Sequence, residues 1–408
     1  MNLAALLAIF GPGVLLAYAY VGYPFLLRIA SRGRTERPPA APPPVWPPVT
    51  VIIAAYNAER TIARTIDPLL RIDYPRHLVQ ILVASDGSTD GTDDAVSEYA
   101  DRGVELVRVP RGGKTAAENA LGPHVRGEIV VCTDASVIVH PGAVKHLVQR
   151  LVAEPRLGVV SGRSIVVDPE TLANVDPSGA RAMGGEGGYS DFEHAVRSLE
   201  TRFGAIVGAT GGLYAQRAHL FSIPLPPHVT RDLACTLVAV EQGYGSAQEN
   251  DATCVVGSAT SLRGEYRRKV RTMINGLDTM WCFRRLMRPG VSGWYAPRLW
   301  SHKLARVFAY GLTPLAGLGL LALSAHFWAA RIAAAGGIAA GTLALIALAW
   351  PPTQRAPAII SMCGYAVTGA VAALEAWLSF FQGKHAAVWE PTNRSIDLSD
   401  DVAPVRPA

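Results

Sequence analysis

Apolar residues are spread unevenly along the 408-residue chain, and their spacing changes character several times. From Met1 to Leu27 there is no Asp, Glu, Lys or Arg. As a helix this stretch covers about 40 Å, more than the roughly 30 Å hydrocarbon core of a bilayer. Pro12 and Pro24 fall inside it, breaks that a membrane helix absorbs better than a soluble one. Three further charge-free stretches close the chain, at 307–330, 332–354 and 356–374; the last is interrupted by Glu375 and then runs apolar to Gly383. Such lengths predict membrane-spanning helices. Arg28, Arg32, Arg34 and Arg37 follow the first stretch, so the positive-inside rule puts the N-terminus outside and the residues after Arg28 in the cytoplasm, behind an uncleaved anchor in the cell membrane. Three C-terminal crossings would then leave Lys384, His385 and Arg394 outside. One segment, the one bearing Glu375 first, is therefore expected to lie in the interface or re-enter.

Between the apolar ends the pattern is that of an α/β domain. Residues 38–48 (PPAAPPPVWPP) form a semi-rigid proline-rich spacer. The continuous run from Val49 to Ala55 suits a strand buried on both faces of a parallel sheet. Helical patterns at 60–71, 91–101, 114–122 and 141–153 alternate with strand patterns at 79–84, 104–109 and 128–133. That alternation predicts βαβ units and a doubly wound sheet. The expected organisation is an anchor at 1–30, a linker at 31–48, the α/β domain at 49–260, an amphipathic helix region at 261–303, membrane segments at 304–383 and a tail at 384–408.

Composition agrees. Charged residues are only 17% of the chain against a usual fraction of about 25%, which excludes a disordered polymer and leans away from an ordinary cytosolic enzyme. Five scattered cysteines with no C-x-x-C pair argue against a disulfide framework and a cysteine zinc site.

Ligands of doubly wound sheets bind beyond the C-terminal strand ends, so the residues just after each strand carry the chemistry. Tyr56-Asn57-Ala58-Glu59 follows the first strand and Asp86-Gly87-Ser88-Thr89-Asp90-Gly91-Thr92 the second; Gly112-Gly113-Lys114-Thr115 precedes a helix and Asp134-Ala135-Ser136 follows the fourth strand. Any one of these is also a good turn or helix cap; four in successive positions point to a site. There is no G-x-G-x-x-G after the first strand, and Arg108 stands where a P-loop needs glycine. Gly184-Gly185-Glu186-Gly187-Gly188 reads as a flexible loop.

These residues resemble family 2 glycosyltransferases with the GT-A nucleotide-sugar-binding fold, of the membrane-embedded branch that builds surface polysaccharides and glycolipids. The matching words are VIIAAYNAE (51–59), SDGSTDGT (85–92), GGKTAAENA (112–120), TDAS (133–136), GATGGLYAQR (208–217), RDL (231–233), EYRRKVRTM (265–273) and AVWEPTNR (387–394). The resemblance implies a GT-A mixed sheet in a cytoplasmic domain and an inverting transfer from a nucleotide-sugar donor to a glycan or lipid-linked acceptor. It implies donor contacts from Ala54, Tyr56, Glu59, Asp86 and Lys114, and a divalent cation, Mg²⁺ or Mn²⁺, on Asp134. Asp232 would be the base that deprotonates the acceptor hydroxyl, or else a cap of the helical-looking 233–241. Gly211, Gly212 and Tyr214 would form the acceptor floor, or a tight turn into a strand. Two departures stand out. TDAS lacks a second carboxylate, and Arg268-Lys269-Val270-Arg271-Thr272 lacks the Gln and Trp of the Gln-x-x-Arg-Trp word of processive members, which favours transfer of one or a few sugars. The alternative is an inactive GT-A scaffold subunit of a polysaccharide export complex.

Residues 262–287 set Tyr266, Val270, Met273, Ile274, Leu277 and Trp281 on one helical face, with arginines crowding the first half. This suggests a helix in the lipid headgroup layer. Arg268 and Arg271 could instead face the site and neutralise the diphosphate. Nucleic-acid binding is the rival use of the arginines, made improbable by the membrane segments.

Overall fold

The computed structural model describes residues 3–34, 41–167, 184–258, 262–350 and 357–385. The word at 387–394, with Arg394, lies outside them.

The runs read as strands pair into an eight-stranded mixed sheet, ordered β3-β2-β1-β4-β7-β6-β8-β5. Its strands are β1 (Val49–Ala55), β2 (Val79–Asp86), β3 (Val104–Val109), β4 (Ile129–Asp134), β5 (Val137–Val139), β6 (Leu157–Val167), β7 (Leu213–Arg217) and β8 (Gly245–Gly257). The first four are parallel neighbours, with Ala54 of β1 level with Ala84 of β2 and Asp134 of β4. β7 inserts antiparallel between β4 and β6, and so brings residues 211–212 beside the C-terminal end of β4. Thr133 Oγ1 donates to the Gly212 carbonyl at 2.8 Å and holds them there.

β1 is buried throughout. Val51 and Ile53 face one core with Ile81, Val83 and the helices α3 (Ile62–Leu69) and α6 (Ala143–Ala153). Ile52 and Ala54 face the other, with Leu82 and the helices α5 (Lys114–Leu121) and α8 (Arg231–Glu241). A small α4 (Thr92–Ser97) follows β2. The glycine-rich stretch at 184–188, expected as a loop, is instead the start of a helix, α7 (Gly184–Thr201). The helix is held from further along: Phe192, Val196 and Leu199 pack on Tyr23 and Leu27. Such packing outweighs the roughly 1 kcal/mol that each helical glycine costs.

The N-terminal stretch is helical, α1 (Leu3–Ala17) passing through a π-turn at Tyr18–Gly22 into α2 (Tyr23–Ala30). At the other end stand α9 (Leu262–Cys282), α10 (Ala305–Ser324), α11 (Trp328–Ala349) and α12 (Ala358–Phe381). Four helical stretches among the described residues are long and apolar enough to cross a membrane: Ile9–Ala30, Tyr295–Ser324, Trp328–Ala349 and Ile359–Phe381. The N-terminal one is tied to the second by Tyr18 Oη and Ser301 Oγ at 2.7 Å and by Tyr20 Oη and Tyr310 Oη at 3.0 Å.

The Glu375 segment packs along α9. Tyr266 donates to the Glu375 carboxylate, and Ala372 and Ala376 share a core with Val270, Ile274 and Leu277. At its end His385 Nδ1 lies 3.0 Å from Asp278 Oδ2 of α9. The start of the tail thus lies against α9. Because α12 covers it, Val270, Ile274 and Leu277 of the α9 stripe contact protein, while Trp281 at its end stays exposed.

Candidate active site

The first two strand-end words are bolted to each other. Asn57 Oδ1 accepts from the Thr89 N–H at 2.9 Å, and Glu59 accepts from the Gly91 N–H at 3.1 Å. The third word is bolted to the second: Asp86, buried, accepts from the Gly112 N–H at 2.7 Å and from the Gly113 N–H at 3.0 Å. The Arg111 guanidinium also bonds Asp86, and it stacks 3.3 Å from the centre of the Tyr56 ring. Arg111, one residue ahead of the GGK word, belongs to the site and went unnoticed in the sequence; its position next to that word is the signal that would have found it.

Beneath the strand ends opens a cleft of about 820 Å³. Tyr56, Glu59, Lys114, Asp134, Gly211, Gly212, Asp232, Arg268 and Arg271 all line it. Three of the residues named from sequence do not. Ala54 is buried in β1, Asp86 stands behind Arg111, and Tyr214 points into the core beneath the sheet at 1% exposure, level with Cys132. An inward-facing β7 residue contributes packing to that core.

Lys114 opens α5, and its Nζ lies 2.5 Å from Asp134 Oδ1 and 3.9 Å from Glu118 Oε1. Burial alone would lower the Lys114 amine, but Asp134, Glu118 and Asp232 outweigh it and raise it, so the ammonium stays charged. Asp232 sits one residue inside α8, whose cap is Thr230, so it is not the capping residue. Its backbone carbonyl accepts from the Ala209 N–H at 2.8 Å, which pins the glycine segment against it. A Cβ on Gly211 would stand 2.8 Å from Asp232 Oδ2, and one on Gly212 would stand 2.7 Å from Ser164 Oγ. Only glycine lets the segment pass that close. Burial raises the Asp232 carboxyl above the ordinary carboxylate range; Lys114 pulls it back and Asp134 pushes it further up. Its neighbour Arg231 is a buried clamp, 3.3 Å from Glu118 Oε2 and donating to the Phe221 carbonyl at 3.1 Å.

One wall of the cleft was not legible in the sequence. Tyr189, Ser190, Glu193, His194 and Arg197 of α7 line the cleft, together with Ser164 of β6. Their helix begins in the stretch that looked like a loop. Among the described residues no three His, Cys, Asp or Glu side chains converge as a metal cage. Asp134, with its side chain 39% exposed, offers the cleft a carboxylate. One carboxylate completed by phosphate oxygens and water suits Mg²⁺ or Mn²⁺, so the donor set fits a cation that arrives with a diphosphate.

A mixed sheet of this order, with acidic groups at its strand ends, defines a GT-A fold, and a solved structure agrees. The Mannosyltransferase PcManGT from Pyrobaculum calidifontis, determined in complex with GDP-Man and Mn2+, matches 92% of this chain and 100% of its own, with a TM-score of 0.68 at 24% identity. Residues 50–188 match the profile of Glycosyl transferase family 2, and the chain carries a glycosyltransferase domain of that family. The Beta-monoglucosyldiacylglycerol synthase of Nostoc sp. is 30% identical over 127 residues, covering 30% of this chain and 27% of that protein. The Poly-beta-1,6-N-acetyl-D-glucosamine synthase of Staphylococcus aureus is 21% identical over 239 residues, covering 57% and 55%. The chain thus spans from about a quarter to about half the length of these curated relatives.

Proposed function

We propose that the protein is a membrane-anchored, inverting glycosyltransferase that moves a sugar from a nucleotide-sugar donor to a hydroxyl of a glycan or lipid-linked acceptor, in surface polysaccharide or glycolipid synthesis. The observation that carries this reading is the convergence of Lys114, Asp134 and Asp232, from three separate elements, on one cleft. The nucleoside end is formed by Tyr56 and Arg111, whose stacked pair suits a base, with Asp86 holding Arg111 from behind. Asp232 takes the proton of the acceptor hydroxyl, and that oxygen attacks the anomeric carbon as the bond to the diphosphate breaks. A carboxylate whose pKa is raised by burial is the better base for this step. Lys114 faces the departing diphosphate, and Arg268 and Arg271, which line the same cleft, add positive charge where negative charge develops. A divalent cation on Asp134, when bound, would offset further charge on the leaving group.

The domain working in the cytoplasm is supported by Arg28, Arg32 and Arg34 at the end of α2. The test uses the full chain in detergent with Mn²⁺ and a panel of UDP- and GDP-sugars. Nucleoside diphosphate release should appear with one donor, and Asp232→Asn should abolish it while leaving donor affinity unchanged. Donor-independent partner binding without metal-dependent turnover across the panel would leave the scaffold reading instead.

A further inference from the structure

The α7 wall plays no part in the chemistry above, yet it is built from buried donors. His194 and Arg197 line the cleft at 4% and 7% exposure. The Ser164 N–H donates to His194 Nε2 at 3.2 Å, which assigns the ring proton to Nδ1. Burial, then the Arg197 and Arg163 charges, push His194 down to about 3, so the ring is neutral near pH 7. Its Nδ1 has no hydrogen-bond partner among the described residues. Arg197 Nη2 reaches Glu193 Oε2 at 3.4 Å, but its Nε and Nη1 have no hydrogen-bond partner there. Buried polar groups in native proteins are almost always satisfied, so three donors in a cleft wall imply a guest.

The chemistry of the guest follows from the donors. All three atoms give hydrogens and none accepts, so a hydroxyl would satisfy one of them and bring an unmatched hydrogen of its own. A phosphate presents several acceptor oxygens and a charge that Arg197 answers. Glu193 does not stand against an anion, because Lys303 at 3.5 Å, His302 at 3.2 Å and Arg306 already hold its carboxylate.

The location separates this wall from the nucleoside end. His194 is bonded to Ser164; Ser164 Oγ crowds Gly212; and Gly211 abuts Asp232. His194 and Arg197 therefore stand on the side of the base, and Tyr56 and Asp86 belong to the other end of the sheet. We propose that His194 and Arg197 form an oxyanion subsite for a phosphate carried by the acceptor, an identification of the guest that rests on the glycosyltransferase reading.

The full chain is titrated calorimetrically with GDP or UDP and Mn²⁺ present, in one arm with sn-glycerol 1-phosphate and in another with phosphatidate in nanodiscs of neutral lipid. Glycerol and diacylglycerol are the controls. A phosphate-bearing probe should bind where its neutral counterpart does not. Arg197→Gln should weaken that binding at least tenfold with unchanged nucleotide affinity, and Arg197→Lys should restore part of it. Binding confined to phosphatidate assigns a lipid source, and binding confined to glycerol phosphate a soluble one. If Arg197→Gln loses its thermal transition, His194→Phe carries the same comparison. Equal binding of phosphate and neutral probes, no binding in either arm, or a parallel loss of nucleotide affinity would overturn the subsite. Nucleoside diphosphate release without phosphate binding would sink the subsite alone; phosphate binding without turnover on any donor would sink the transferase reading alone.

Discussion

Lys114 Nζ lies 2.5 Å from Asp134 Oδ1, so the carboxylate best placed for a cation already holds a protein cation. A divalent ion reaching Asp134 must share it with the ammonium. Lys114→Met should therefore have effects of opposite sign. Mn²⁺ alone should bind more tightly, as read by electron paramagnetic resonance of free Mn²⁺, while nucleoside diphosphate should bind more weakly. Loss of one charge-assisted bond of about 1.5–3 kcal/mol corresponds to roughly 10- to 150-fold in diphosphate affinity.

As the proposed base, Asp232 should set the acid limb of the rate through its raised carboxyl. The base must be deprotonated, so kcat/KM should climb with pH through a pKa above the ordinary carboxylate range. Asp134 pushes that pKa up and Lys114 pulls it down. Asp134→Asn should thus move the limb to lower pH, and Lys114→Met should move it higher, in a pH–rate profile of nucleoside diphosphate release.

Gly211→Ala places a methyl group 2.8 Å from Asp232 Oδ2. Either the segment or the carboxylate must shift, and a displacement of about 1 Å at a reacting group costs on the order of 10²-fold. Turnover should fall by about that factor while the melting temperature and donor affinity stay near wild type. A fall in donor affinity matching the fall in rate would place Asp232 outside the reacting centre.

Glu193 ties α7 to the segment entering α10. Burial would raise its carboxyl, but Lys303, His302 and Arg306 hold it well below the usual range. Glu193→Gln leaves Lys303 and Arg306 without their carboxylate partner, a change worth about 3–5 kcal/mol for a buried pair. The lowered pKa fixes the pH dependence. The stabilisation is complete above the unfolded value of 4.5 and is lost as pH falls from there through the folded value. The melting-temperature gap between wild type and variant should accordingly be widest near neutral pH and close on acidification.

The strands and the words at their ends were legible because both are local signals. A run such as Val49 to Ala55 reports burial on two faces without reference to any other segment. Asp134, Lys114 and Asp232 were likewise marked by short words, and the structure gathers them in one cleft. Arg111 was marked only by its place beside the GGK word; its stacking on Tyr56 is a contact between segments far apart in the chain. Tyr214 misled for the converse reason: it follows the glycine pair of the cleft, but its place in β7 turns it inward. The glycine-rich start of α7 read as a loop because helix propensity is local and the contacts of Phe192 and Val196 with α2 are not.

By itself, then, the sequence determined the apolar segments, the α/β alternation and the chemical types at the strand ends, because period and composition encode burial along the chain. The tertiary structure alone decided which side chains meet. Packing of Phe192, Val196 and Leu199 on Tyr23 and Leu27 chooses which face of α7 looks into the cleft, and α12 covering Val270 and Ile274 sets α9 with Arg268 and Arg271 on the cleft side. Those outcomes rest on contacts between residues far apart in the chain, where no periodic signal reaches.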